Sequence, residues 1–145
     1  MLNFPEYLFK RRHNGQIEEI WDDVRKRWLV LTPEEWVRQH AVKYLQNQKG
    51  YPAGRMAIER GLKVNGMQRR TDIVIYNRHG QPHLIVECKA PTVSITQNVF
   101  DQIARYNITL RVPYLLVTNG MEHYCCRIIH EEGRWEFLED IPSAE

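Results

Sequence analysis

Two short apolar runs, "TDIVIY" at 71–76 and "LIVEC" at 84–88, flank the turn-forming stretch "RHGQP" at 78–82. Runs rich in Val and Ile on either side of Gly and Pro predict an antiparallel β-hairpin. A hairpin symmetric about His79 and Gly80 sets Asp72 directly across from Glu87. Side chains alternate along a strand, so Val74, Ile85 and Lys89 share their face, and Ile73, Ile75, Leu84 and Val86 share the other. Both faces are therefore largely apolar, which requires a sheet covered on both sides.

"MAIERGLKVNGMQRR" precedes this hairpin with a second turn signal, Asn65-Gly66. A two-residue turn there places Glu59 across from Asp72, on the same face. Three carboxylates and Lys89 then line up across neighbouring strands. Like charges directly opposed destabilise a sheet, and a buried carboxylate must find a partner or take up a proton. A divalent cation with oxygen ligands, Mg²⁺ or Mn²⁺, removes the conflict, with the Cys88 backbone carbonyl as a further ligand. Lys89 beside it is suited to orienting a nucleophilic water or stabilising charge on a phosphate. The plainer alternative is a cross-strand salt bridge at a sheet edge. Glu59 also carries two readings, site residue or solvated strand charge, because one bulge reverses its face.

Upstream, "LTPEEWVRQHAVKYLQNQKG" predicts a helix with Thr32 as N-cap, Pro33 in the first helical position and Gly50 as the stop. Val37, Ala41, Tyr44, Leu45 and Gln48 mark its packed face. Before it, "HNG" at 13–15 between "YLFK" and "IEEIW" predicts a small hairpin. Downstream, "ITQNVFDQIARYNITL" predicts a second helix with a stripe of Val99, Ile103, Tyr106 and Leu110. "VPYLLVTNG" follows as a buried central strand, and "YCCRIIHEEGRWEFLE" as a closing hairpin turned at Glu132-Gly133. The expectation is an α/β fold, a mixed sheet flanked by helices in one structural domain. Residues 1–31 form an N-terminal β-hairpin extension and 32–145 the main domain.

No apolar run approaches the ~20 residues of a membrane-spanning helix, and the amino terminus lacks a secretory pattern, so a cytoplasmic protein is expected. The net charge of +2 is too small to announce nucleic acid. The local clusters "KRRH" (10–13), "RKR" (25–27) and "RR" (69–70) nominate Arg12, Arg69 and Arg70 as phosphate contacts, although most such clusters are solvated surface. Three cysteines without zinc-like spacing read as buried reduced thiols.

"TDIVIY" followed by "LIVECKAP" resembles the PD-(D/E)xK nuclease superfamily, with Asp72 as the aspartate and Glu87 and Lys89 as the (D/E)xK pair; Thr71 stands where that motif has proline. "LTPEEWVRQH", "RRTDIVIY", "VECKAP", "DQIARYN" and "LLVTNG", in that order, resemble the amino-terminal nuclease domain of type I restriction enzyme R subunits and their stand-alone relatives. The resemblance spans Thr32 to Gly120 and implies a restriction-endonuclease-like αβββαβ core. It also implies a catalytic role for Gln102 and Tyr106, four apart on one helix face, and for an acidic residue of the first helix, taken as Glu35. Tyr106 also fits the core stripe, and Glu35 also fits a capping box with Thr32. No Gly-x-x-x-x-Gly-Lys-Ser/Thr loop occurs, so translocation along DNA is expected to need a motor protein or restriction-modification subunits as partners. The leading functional reading is a metal-dependent DNA endonuclease. The alternative is a catalytically silent nuclease fold that binds DNA or a restriction-system partner.

Overall fold

Backbone hydrogen bonding sorts the described residues into three sheets. The structure, a computed structural model, describes residues 1–64 and 66–145, without the side chains of 64 and 67–69. The first sheet is antiparallel: β1 (Arg11–Asn14), β2 (Ile17–Asp22) and β3 (Arg27–Val30), in that order. The predicted hairpin is present, with Asn14 opposite Ile17 and Gly15 at φ 68° in the turn. Two features differ from expectation. A third strand is added, and "YLFK" precedes β1 instead of forming its arm. The reason is aromatic packing: Phe9 lies 5.1 Å from the Trp36 ring and 4.8 Å from His40, and Tyr7 lies 6.0 Å from His40, so residues 7–9 run along the first helix and only Lys10 continues the pairing with β2.

That helix, α1 (Pro33–Asn47), begins as its sequence dictates, with Pro33 at N1 and the Thr32 hydroxyl accepting the Glu35 N–H at 3.0 Å. The chain continues through β4 (Met56–Ile58), β5 (Leu62–Val64), β6 (Met67–Arg69), β7 (Ile73–Tyr76), β8 (Pro82–Cys88), α2 (Gln97–Ile108), β9 (Tyr114–Thr118), β10 (His123–Ile129) and β11 (Arg134–Leu138). Among the described residues, six strands form the central sheet in the order β11-β10-β9-β8-β7-β4, with β8 and β9 parallel and the other pairs antiparallel.

The 71–88 hairpin has the predicted register: Ile73 faces Val86, Val74 faces Ile85, and Ile75 faces Leu84, with a bulge at Ile75/Tyr76. Its faces are the predicted ones too. Ile73, Ile75, Leu84, Val86 and Cys88 pack with Val37, Ala41 and Leu45 of α1. Val74 and Ile85 pack with Phe100 and Ala104 of α2. The preceding hairpin keeps its register from Met56 opposite Ile75 to Leu62 opposite Arg69, but each arm is broken midway. Glu59 (φ 58°) and Gly61 (φ 74°) turn the first arm out of the sheet, so β5 and β6 pair as a separate two-stranded ribbon. Asn65 of the expected Asn65-Gly66 turn lies outside the described residues, while Gly66 has φ 79°.

On α2 the packed face is rotated from the expected stripe. Phe100, Ala104 and Asn107 are buried, whereas Tyr106 is 40% exposed. A stripe drawn through four apolar letters missed that Asn107 can be buried when its side-chain amide donates to the Ile103 carbonyl, as it does at 2.7 Å. All three cysteines are free and buried. No helix among the described residues is long and apolar enough to cross a membrane.

Candidate active site

Asp72 stands at the break between β6 and β7, and both of its oxygens are engaged. Oδ1 accepts from Arg38 Nη2 of α1 at 2.7 Å, and Oδ2 accepts the Cys88 backbone N–H at 2.8 Å. Glu87 leaves β8 next to Cys88, and its carboxyl hydrogen-bonds that of Asp72. Burial first, and the adjacent Asp72 charge second, push the Glu87 pKa up to about 8, against the opposing pull of Lys89. Near neutral pH the Glu87 carboxyl therefore keeps its proton. Lys89 follows directly, its N–H donating to the Thr118 carbonyl at 2.8 Å. The acidic pair therefore sits at the carboxyl ends of the parallel strands β8 and β9, where open α/β sheets present their sites.

Glu87 shares a shallow cavity with Arg70, Gln102, Ile103, Tyr106 and Asn107. The α2 rotation that removes Tyr106 from the core delivers it here, one turn from the exposed Gln102. Arg70, with its side chain 81% exposed, reaches the rim and pairs with Glu59 at 3.0 Å. Arg12 is elsewhere: it lies on the N-terminal sheet, 2.8 Å from Glu19 and 4.3 Å from the Trp28 ring centre. The Arg69 side chain lies outside the described residues.

Glu35 and Glu59 belong to a different set of contacts. The buried Glu35 carboxylate accepts from Arg25 Nη2 (3.0 Å), Gln39 Nε2 (2.9 Å) and Arg38 Nη1. Its capping box is half made, since Thr32 sends its own N–H to the Val30 carbonyl. Glu59 donates its N–H to the Asp72 carbonyl at 2.7 Å, as the register requires, but its carboxylate turns to Arg25, Arg70 and Arg38. Glu34 is the acid of α1 whose charge acts on Glu87; it is half exposed and 3.1 Å from Arg38.

The strand pairing therefore predicted where the acids stand, and the cations that meet them were missed. Arg25 belongs to "RKR", which reads as surface, yet its side chain is 10% exposed among Asp22, Glu35 and Glu59. Arg38 was the more legible, because Glu34 and Glu35 precede it at the i,i+4 and i,i+3 spacings of helical ion pairs.

These contacts bear on whether a metal fits. Among the described residues no three Asp, Glu, His or Cys side chains converge. The oxygen donors of Asp72 and Glu87 nevertheless suit Mg²⁺, which keeps several waters and needs one or two carboxylates. Around them, Asp22, Glu34, Glu35, Glu59 and Asp72 meet Arg25, Arg38 and Arg70: five carboxylates against three guanidiniums. The raised pKa of Glu87 beside Asp72 marks a place where a cation would offset carboxylate charge.

Fold and site together define a mixed α/β domain that gathers an acidic pair and a lysine at the carboxyl end of a central strand. Residues 33–142 match the family described as the type I restriction enzyme R protein N terminus, and the chain belongs to that family. Its fold is similar to that of a fragment described as an HsdR subunit of a type I restriction enzyme from Vibrio vulnificus YJ016, at 20% identity and a TM-score of 0.53. That similarity covers 78% of this chain and 24% of the fragment, so this chain spans about a quarter of its relative. No curated protein matches the chain.

Proposed function

We propose that this domain is a metal-dependent DNA endonuclease of the PD-(D/E)xK kind, acting in a restriction-modification setting. The observation that carries the reading is the buried Glu87 carboxyl beside Asp72 and Lys89, at a cleft into which Gln102 and Tyr106 project. Asp72 and Glu87 would hold Mg²⁺ or Mn²⁺, with the Cys88 carbonyl as a third oxygen and Glu34 as the nearby further acid. Such an ion, when bound, supplies Lewis-acid stabilisation of phosphate charge and lowers the pKa of a water.

The chain's own groups do the rest. Glu87 would release its proton to solvent on serving as a ligand. Lys89 has three donors on a compact charge, suited to orienting the attacking water and to meeting charge that grows on the phosphate. Gln102 and Tyr106 offer hydrogen-bond donors to the scissile phosphate, and Arg70 at the rim offers a guanidinium to a neighbouring one. The motor that moves DNA belongs to partner chains or segments.

A second reading, a silent DNA-binding module, is favoured by two contacts: both Asp72 oxygens are already occupied, by Arg38 and the Cys88 N–H. Incubation of the full chain with linear and supercoiled DNA, in Mg²⁺, Mn²⁺ or EDTA, separates the two. Metal-dependent cleavage lost in Asp72→Asn supports the enzyme. DNA binding with no cleavage on either substrate, unchanged in Lys89→Ala, establishes the module instead.

A further inference from the structure

Asp72 is the end of a chain of charge-assisted hydrogen bonds that starts in the N-terminal sheet. Asp22 closes the β2–β3 turn by accepting the N–H groups of Val24 and Arg25 on Oδ1, each at 2.8 Å. Its Oδ2 accepts Arg25 Nε at 2.6 Å. Arg25 reaches Glu35 through Nη2 and Glu59 through Nη1, Glu35 takes Arg38 Nη1, and Arg38 Nη2 ends on Asp72. Gln39 braces the middle, donating to both Asp22 (3.0 Å) and Glu35 (2.9 Å).

Two observations show that Arg38 is placed by its forked end. Its Nε is buried with no hydrogen-bond partner, so the side chain forgoes one bond in order to aim both Nη groups at carboxylates. Buried ion pairs are also poor stabilisers, since apolar replacements of similar volume often match them, so stability alone does not explain a relay of five charged groups. The β2–β3 turn lies outside residues 33–142, the part that matches the family.

We infer that Arg38 is the positioning residue for Asp72, and that Asp22 and Arg25 are the strut that holds Arg38. The β2–β3 turn of the N-terminal sheet is thus a working part of the site. The inference rests on the reading of Asp72 as a ligand given above.

One test uses neither metal nor activity. Full-length Asp22→Asn, Asp72→Asn and the double variant are melted in EDTA. Asp22 and Asp72 share none of the partners named here, so coupling between them must pass through the network that lies between: Arg25 and Gln39, then Glu35 or Glu59, and Arg38. Non-additive changes in Tm are expected; additive changes overturn the relay.

The second test takes Arg25→Gln and Arg25→Lys, reading Mn²⁺ affinity and the single-turnover rate at saturating Mn²⁺ and DNA. Removing a positive charge does not weaken attraction for a cation, so Mn²⁺ binding by Arg25→Gln is expected to be unchanged or tighter. Its rate falls about tenfold or more as Asp72 loses its orientation, and Lys restores part of it. A parallel loss of binding and rate with no rescue by Lys shows a merely structural role and overturns the inference. A wild-type rate in Arg25→Gln also overturns it while leaving the endonuclease reading standing. Wild type that neither binds Mn²⁺ nor cleaves defeats the endonuclease reading instead, and the melts then decide the relay. Should Arg25→Gln fail to fold, the Lys variant and the melts decide.

Discussion

At the scale of single residues, the proton on Glu87 is the feature with the most consequences. Its pKa is raised from 4.5 to about 8 in the fold, by burial first and by Asp72 second. Between those values the folded state binds more proton than the unfolded one, so this residue's contribution to stability declines as pH rises through that window. Melting curves without metal should therefore show wild type losing several degrees relative to Glu87→Gln between pH 5 and pH 8.5. A constant difference would show that the carboxyl is not perturbed. Metal must displace the same proton, so the apparent Mn²⁺ affinity should climb about tenfold per pH unit until the pKa is passed; calorimetry at pH 6, 7 and 8 checks it. Lys89 is expected to act on the transition state. At pH 9, above the Glu87 titration, Lys89→Ala should cut the cleavage rate about 100-fold or more with little change in affinity for DNA or Mn²⁺. Equal losses in rate and DNA affinity would instead make Lys89 a phosphate contact.

At the scale of elements, α1 both covers one face of the sheet and carries Arg38, the cation that meets Asp72. Its start is legible in four letters, Leu31-Thr32-Pro33-Glu34, and the Thr32 cap bonds the N–H of Glu35, the residue that joins Arg25 to Arg38. Thr32→Ala should cost about 1 kcal/mol, a fall of about 3 °C in Tm. It should also slow cleavage, because the first turn that aims Glu34 and Glu35 frays; an unchanged rate would separate the cap from the site. The two helices differ in legibility for a physical reason. The start of α1 is set by local capping chemistry, whereas the phase of α2 depends on which of its faces the sheet accepts. Asn107 entered the core with its amide donating to the Ile103 carbonyl and its Oδ1 left without a partner, a burial that no apolar stripe encodes, and Tyr106 was thereby left for the cleft.

At the scale of the whole molecule, the N-terminal segment is tied to the β9–β10 turn of the central sheet. The Asn3 N–H donates to the Gly120 carbonyl at 2.7 Å, and the Phe4 ring lies 4.4 Å from His123. Gly120 adopts φ 86°, and a Cβ there would approach Leu2 Cδ2 to 2.8 Å and Val37 Cγ2 to 3.1 Å. Gly120→Val should cost about 2 kcal/mol through backbone strain and crowding. Leu2, as the end of a side chain, is the partner able to move, so residues 1–10 should become a target of limited proteolysis. Resistance equal to wild type would show that the seat is not needed.

What the sequence determined by itself follows from periodicity and local chemistry. The two-residue alternation of Ile73–Tyr76 and Leu84–Cys88 and the Gly-Pro turn between them dictate which side chains oppose, and so put Asp72 against Glu87. Capping chemistry at Thr32 and Pro33 likewise dictates where α1 begins. The tertiary structure alone decided which cations meet those acids. Arg25 and Glu35 are ten positions apart, and Arg38 and Asp72 are 34 apart. No local pattern encodes such distances. They are closed when α1 packs on the sheet and the β2–β3 turn docks beside it, and only then does burial make an unpaired carboxylate expensive enough to require those arginines.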